Sequence, residues 1–545
     1  MQNVAWQTEV DTESLLRSYQ LHGEYCLDLF EGMWAFAIYD LRRSCLVLSR
    51  DRFGEKPLYW GRQGDLALFG SECTSLLCHS HFSPALDEEA IERYFAWGYI
   101  PSPRSLYTDI RKLEPGSSLL HDLSTGKDTI TNWWRFRIEP DAGPLERPQH
   151  ELEAEFRRLM NQAVDRRLVS DVPIGVFLSG GLDSSTVLAA ACESMPAERI
   201  RAFTVGFEEA SYDESDSAAL VAKHFGVQHD VEMLRLSDAI ADVPGVLERM
   251  DEPLADASVL PTWLLSRFTR KHVTVALSGD GGDELLAGYD PFAAFAPASI
   301  YHAIMPDVLH RGLEAVARRL PRSNRNMSLD FKIRRTLMGL RHDPSLWCPV
   351  WMGPLDPAVR GRLFQSQRPI ETLLEPAIQR WEQGRGLSRL ERGLDFFTRF
   401  YLTEDILLKV DRATMMSSLE SRAVFLDNDL VDFCRTLPIG LKYRRGVRKY
   451  LLRQAWRDVL PMEIIDRPKK GFGIPLAQWL RDLPSPADGI DVPGLDRSAM
   501  MTMWDEHRAG RADHRLAIWA WLSLQGVLRN HRRVQADRRE VAVHG

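Results

Sequence analysis

The stretch IGVFLSGGLDSSTVLAAACES, residues 174–194, leaves this chain few ways to fold. A short apolar run, GVFLS, reads as a buried strand ending at Ser179. Two glycines follow, and a second apolar run of helical character begins at Ser184 and Ser185. The same alternation continues downstream. RAFTVGF reads as a strand, ESDSAALVAKHFG as a helix and QHDVEML as a strand; more helix runs to about residue 271, before the strand VTVALSG. Strands that alternate with helices predict an α/β fold with a doubly wound, mainly parallel sheet. Past residue 290 helical spacing prevails almost to the end, with a polar tail expected over 531–545.

The first 136 residues have another character. MWAFAIYD and CLVLSRDR flank the turn LRRS, and LYWG and LALFGSE flank the polar turn RQGD, so two antiparallel hairpins are expected. Residues 86–97 return to helical spacing at Ile91, Tyr94 and Phe95. Near the start, Leu15, Leu16 and Tyr19 fall on one helical face, with Asp11 and Thr12 where an N-cap belongs. The polar run RIEPDAGPLERPQHE, residues 137–151, reads as a linker between a domain over 1–136 and a larger one over 152–530.

Charge and cysteine content exclude several functions. With 68 Lys and Arg against 76 Asp and Glu, the net charge is −8, and the signs are interspersed. A nucleic-acid binder needs a basic excess. No apolar run approaches the roughly 18 residues of a membrane span, and the N-terminus lacks the zones of a signal peptide, so a cytoplasmic protein with no membrane or nucleic-acid partner is expected. The seven cysteines are scattered and none forms a CxxC pair, which fits reduced, mostly buried thiols.

Four motifs carry chemistry. In Val176–Ser185, VFLSGGLDSS, the glycines let backbone N–H groups approach a ligand, and the free N–H groups of the following helix favour an anion: this is a phosphate cradle, distinct from the Walker and dinucleotide loops. In Ser278–Glu284, SGDGGDE, the acids Asp280, Asp283 and Glu284 crowd one strand end and need cations or basic partners. Both loops follow apolar strands of one sheet, where ligands collect at the carboxyl ends, so Mg²⁺ bound to pyrophosphate suits them. In Tyr401–Arg422, the charges Lys409, Asp411, Arg412, Glu420 and Arg422 sit in a mostly apolar helical pattern, as an internal ion-pair network or a substrate site. In Arg467–Pro475, RPKKGFGIP, two lysines before a Gly-Phe-Gly turn suit stabilisation of developing negative charge.

SGGLDSS resembles the pyrophosphate loop of the ATP pyrophosphatase superfamily. Together with AFTVGF, SGDGGDE, DILLKVDRATM, LESRAVFLD and RPKKGFGIP, in that order, it makes the chain resemble the glutamine-hydrolysing asparagine synthetases from about residue 5 to about 530. EGMWAFAIYD, LSRDRFGEKPLYW and YIPSPRSLYTDIRKLEPG resemble the back half of that family's glutaminase domain, an α+β sandwich of the N-terminal-nucleophile type. The resemblance implies adenylation of the aspartate side chain by ATP, with Mg²⁺, then attack by ammonia to give asparagine. It implies nucleotide contacts at Leu178, Ser179, Gly180, Gly181, Asp183, Ser184, Ser185, Val205, Ser278 and Gly279, with Asp183 and Asp283 on the metal. Asp280 stands where the family often has Glu, so the charge is kept and the reach shortened. Catalytic roles fall to Asp280 and Glu284, and to Lys469 or Lys470, between which the sequence leaves the choice open. Substrates would be ATP, aspartate or a related acid, and glutamine or ammonia, and the resemblance leaves room for a homodimer.

The resemblance fails at the front. The family's glutaminase nucleophile is a cysteine exposed at position one, in a Met-Cys-Gly start; here Gln2 follows Met1. The family's segments that hold the glutamine carboxylate and build the oxyanion hole have no counterpart. TEVDTE matches its later glutamine-contacting segment, so Asp11 reads as a remnant of the glutamine pocket, and about half of the glutaminase domain is expected to be missing. Two enzymatic readings follow: an asparagine synthetase fed by glutamine or free ammonia, or an amide- or lactam-forming synthetase of a natural-product or polysaccharide pathway using another acid or amine. SLESRAVFLD, where many members have Pro before FLD, leaves the acceptor open.

Overall fold

The computed structural model describes residues 6–140, 147–209, 211–235, 239–319, 328–366, 368–469, 471, 473–483 and 489–544. The N-terminal part opens on the helix Asp11–His22. Val10, in extended backbone, holds the cap position without a side-chain bond, and Asp11 is already helical. The expected Asp11 or Thr12 cap does not form; Glu13 instead holds the preceding segment, its carboxylate accepting the N–H groups of Gln7 at 3.1 Å and Thr8 at 2.6 Å.

Both predicted hairpins form. Strands β1 (Ala35–Asp40) and β2 (Cys45–Arg50) pair antiparallel with Ala37 opposite Leu48, and β3 (Tyr59–Gln63) pairs with β4 (Leu66–Gly70). Strand β5 (Ile110–Lys112) joins β3, while β6 (Ser117–Asp122) and β7 (Asp128–Asn132) extend the other sheet in the order β1-β2-β6-β7. Leu48 and Leu119 of that sheet meet Leu58, Leu113 and, from β3, Trp60 in one apolar cluster, so the two sheets pack face to face. Cys26 and Cys45 are buried, as expected of core thiols.

The second part is built on five parallel strands: β8 (Ile174–Phe177), β9 (Arg201–Phe207), β10 (Gln228–Leu234), β11 (Val275–Ser278) and β12 (Glu420–Ala423), in the order β10-β9-β8-β11-β12. Phe203 and Ala276 point to one face, against Phe268 of the helix Val259–Thr269. Val176, Ala202 and Leu277 belong to the main core on the other face, with Val187 and Leu188 of the helix Leu182–Ser194. Both faces are covered, which is why these strands read as continuous apolar runs.

Three details depart from the sequence reading. Strand β8 ends at Phe177, two residues before Ser179, and leaves Leu178 and Ser179 to the loop. Strand β12 lies inside a stretch read as helical. Its alternation is hidden because the outward residues are charged: Arg422 pairs with Glu420 at 2.7 Å and donates to the carbonyls of Arg167 and Val169. The polar end forms part of the long helix Arg515–His544. Buried His531 bonds the Tyr107 hydroxyl at 2.9 Å, and Arg538 donates to the carbonyls of Leu77 and His79, so this helix ties back onto the N-terminal part.

The two parts share a buried charged contact. Lys112 pairs with Glu252 at 3.2 Å and Glu404 at 2.9 Å, and the Tyr59 hydroxyl donates to Glu252. Among the described residues no helix is long and apolar enough to cross a membrane.

Candidate active site

Chain order reverses between β8 and β11: β9 and β10 extend the sheet one way, β11 and β12 the other. Loops after adjacent strands part at such a point and open a crevice. A cavity of about 460 Å³ lies there, lined by the loop after β8, the loop after β11 and the segments around Lys409, Lys449 and Lys469.

The first loop is shaped by Gly180, whose φ is +67° and whose position leaves no room for a Cβ, which would lie 2.5 Å from the backbone nitrogen of Ala218. Ser179 anchors the turn: its hydroxyl accepts the Gly181 N–H at 3.2 Å, and the Ser184 hydroxyl lies 3.0 Å from it and accepts the Ser179 N–H. The helix then starts at Leu182, with Asp183 in its first turn. Ser185 Oγ is buried without a hydrogen-bond partner among the described residues. Leu178 and Val205 both line the cavity; the Leu178 N–H and carbonyl are bonded to Phe203 and Thr204.

The second loop crosses close to the first. A Cβ on Gly279 would lie 3.0 Å from Cβ of Asp183, so glycine is what lets the loops touch. Beyond it, Asp283 and Glu284 are buried in the short helix Gly282–Leu285. Lys449 closes the arrangement: its ammonium lies 2.5 Å from Asp283 Oδ1 and also pairs with Asp183 Oδ2. Lys469 pairs with the other Asp283 oxygen and lies over the Tyr289 ring. Arg467 donates to the Gly180 carbonyl at 2.9 Å and pairs with Glu214, which fastens the RPKKGFGIP segment to the glycine turn.

Charge and burial set the protonation states. Burial raises the carboxyl of Asp283, yet the two ammonium groups outweigh it and hold Asp283 well below the usual carboxylate range. Asp183 goes the other way, because burial and the Asp283 charge exceed the pull of Lys449. Burial also raises Asp280, and burial with the charge of Asp283 pushes Glu284 up to about 7, against the Tyr289 hydroxyl that donates to it. Lys469 is raised by Asp283 and Asp183 over the opposing effect of burial.

The structure thus brings together Leu178, Ser179, Gly181, Asp183, Ser184, Val205, Ser278, Gly279, Asp280, Asp283, Glu284 and Lys469 around one cavity. Asp11 is exposed at the start of the first helix, in the other part of the chain. Lys470 lies outside the described residues. The charges of Tyr401–Arg422 divide their work. Lys409 lines the cavity and pairs with Asp256 at 2.7 Å, whereas Asp411 and Arg412 bind Lys56 and Glu72 of the N-terminal part at 2.9 Å each.

Sequence reading missed Lys449 and Tyr289. Lys449 sits in RRGVRKYLLR, a basic run like many others, and nothing local marks it. Its φ of +53°, a left-handed conformation rare for lysine, caps the helix Tyr450–Ala455 and turns its side chain to the cavity. The only signal available in sequence was the need of Asp183 and Asp283 for more positive charge than RPKK supplies.

Among the described residues there is no group of three or more His, Cys, Asp or Glu placed to hold a metal ion. The donor set is a carboxylate pair, and Asp183 Oδ1 is buried with no hydrogen-bond partner. That fits Mg²⁺ held jointly by Asp183, Asp283 and the oxygens of a bound phosphate, the usual manner of this ion.

Comparison with known proteins identifies the family. The family model described as "Asparagine synthase" matches residues 155–529, and "Glutamine amidotransferase domain" matches residues 1–134. Asparagine synthetase [glutamine-hydrolyzing] 1 of Bacillus subtilis is 29% identical over 95% of this chain and 80% of its own length. Asparagine synthetase [glutamine-hydrolyzing] 3 of the same organism is 26% identical over 90% of this chain and 76% of its own. A more distant relative, amidase chyE of Penicillium rubens, is 24% identical over 86% of this chain and 73% of its own. With its larger part matched from end to end and its amidotransferase part matched in the same order, this chain belongs to the asparagine synthase family.

Proposed function

We propose that the chain activates a carboxylic acid by adenylation and converts it to an amide, with aspartate as acid and asparagine as product. The carboxylate oxygen attacks the α-phosphorus of ATP, the α–β bond breaks and pyrophosphate leaves; ammonia then attacks the acyl carbon and AMP departs. The observation that carries this reading is the pair of loops at the sheet's switch point, with Asp183, Asp283, Lys449 and Lys469 in one charge network facing a cavity of about 460 Å³.

Each residue has a role that its surroundings support. Ser179, Gly181 and Ser184, which line the cavity, cradle phosphate oxygens at the helix start, while Gly180 shapes the turn behind them and the expected contact Ser185 is buried and does not line the cavity. Asp183 and Asp283 would hold Mg²⁺, which neutralises charge on the departing pyrophosphate. Lys449 and Lys469 offset negative charge on the phosphates and on the adenylate, and such preorganised charge supplies most of the acceleration in transfers of this kind. Asp280 and Glu284 form the acidic wall beside the acyl group. Glutamine or free ammonia is the nitrogen source.

The test is pyrophosphate release and asparagine formation by the full chain with ATP, Mg²⁺, aspartate and ammonia, repeated with glutamine as nitrogen donor. Absence of pyrophosphate with every acid tried would sink the adenylation mechanism. A second reading, with another acid or amine, is favoured by Asp280: its short side chain lines the cavity and leaves more room at the acidic wall than glutamate would. Pyrophosphate release that responds to a different acid and ignores aspartate would select that reading.

A further inference from the structure

Where the two parts meet, three arginines face a small cavity of about 80 Å³. Arg52 lies in the turn after β2, Arg135 follows β7, and Arg399 belongs to the π-helical segment Phe397–Ile406. The Arg399 guanidinium has no hydrogen-bond or ion-pair partner among the described residues. Burial and the like charges of Arg380 and Arg135 push its pKa down to about 10, despite Asp395 and Glu114 nearby. Arg52 Nε and Nη1 are buried without a hydrogen-bond partner. The carboxylate closest in charge pairing to Arg52 is Asp432, 3.6 Å from Nη1, and the guanidinium lies 5.3 Å from the Trp134 ring centre.

The cavity's two acids do not balance this. Glu404 is engaged by Lys112 at 2.9 Å, Asp432 pairs with Arg52 and exposed Arg135 donates to Asn132, which leaves Arg399 facing the cavity with no ion-pair partner among the described residues. Buried guanidinium N–H groups without acceptors are costly, and the planar fork of arginine matches an oxyanion. The volume exceeds the roughly 10–15 Å³ that one water needs by this measure and is far below the main cavity's 460 Å³, which suits a small ion better than a nucleotide.

We propose that this cavity binds a small tetrahedral oxyanion of the phosphate class, held by Arg52 from the N-terminal part and Arg399 from the second. The site shares no lining residue with the main cavity, yet Tyr401 and Lys409 of the same helical run line that cavity. A bound oxyanion therefore fastens the turn bearing Arg52 to the segment that carries Lys409.

The experiment is a thermal melt of the full chain, with a non-hydrolysable ATP analogue saturating the main cavity. Inorganic phosphate is titrated against chloride at constant ionic strength. The expected result is a saturable rise of roughly 2–4 °C with phosphate and none with chloride. Arg399→Gln should abolish the rise and, in phosphate-free buffer, melt no lower than the unmodified protein, because an unpaired, half-buried charge is gone. Arg52→Lys, which keeps the charge and loses the fork, should weaken labelled-phosphate binding in equilibrium dialysis by at least about tenfold. An unsaturable or chloride-matched rise, an undiminished rise in Arg399→Gln, or a marked loss of stability of that variant without phosphate would overturn the proposal, as would unchanged dialysis for Arg52→Lys.

Discussion

The ammonium of Lys449 lies 2.5 Å from Asp283 Oδ1 and pairs as well with Asp183, so one side chain bridges carboxylates that follow two different strands of the sheet. Because Lys449 is held in a left-handed conformation at the head of its own helix, the bridge is fixed by backbone and not by a choice of rotamer alone. It holds the two acids together against their mutual repulsion.

Lys449→Met should therefore lower pyrophosphate release by about 10²-fold or more while leaving the protein folded, since preorganised charge contributes on that scale. The check is kcat for pyrophosphate release beside a circular dichroism melt. Activity within a few-fold of the unmodified protein would remove Lys449 from the site.

Asp183→Ala should abolish adenylation outright, because it removes the buried unpartnered oxygen proposed as the first loop's metal ligand. Pyrophosphate release measured across a Mg²⁺ titration decides this. Retained activity at any Mg²⁺ concentration means that the phosphate loop is wrongly assigned.

The contact between the two parts rests on Lys112, which is buried with Glu252 and Glu404 on either side. Lys112→Met strands two buried carboxylates, and breaking such a group from one side costs about 3–5 kcal/mol. Denaturant unfolding should show that loss. A change below about 1 kcal/mol would mean that the cluster contributes little to the joint.

Lys442 is 1% exposed and pairs with no carboxylate among the described residues. Burial pushes its ammonium down to about 8, over the opposing effects of Cys434 and Glu391. The unfolded value is about 10.4, so between about pH 8 and 10.4 the unfolded chain holds the extra proton and stability rises with pH. Below pH 8 the full penalty of about 3 kcal/mol applies. Lys442→Met should stabilise the protein by up to that amount at pH 7, with the gain shrinking toward pH 10. Denaturant unfolding at pH 7, 8.5 and 10 tests it; a gain that does not change with pH would contradict the assignment.

Much of the site was legible in the sequence because its two loops are local objects. A strand end, glycines and acids lie within ten residues in VFLSGGLDSS and within seven in SGDGGDE, and each local motif already implies a phosphate or a cation. Strand β12 was not legible, since its outward residues are the charges Glu420 and Arg422 and its pairing with β11 is made across some 140 residues of chain.

The sequence by itself determined the layered α/β class, the position of the glycine turn before the helix and the need of the acidic loop for cations, because each follows from periodicity or from the chemistry of neighbouring residues. Only the tertiary structure decided which cations answer that need. Lys449 and Lys469 lie far along the chain from Asp183 and Asp283, and an ion pair depends on distance in space, which no spacing in the sequence encodes. For the same reason only the fold could separate Lys409, which faces the cavity, from Asp411 and Arg412 two and three residues later, which hold the two parts of the molecule together.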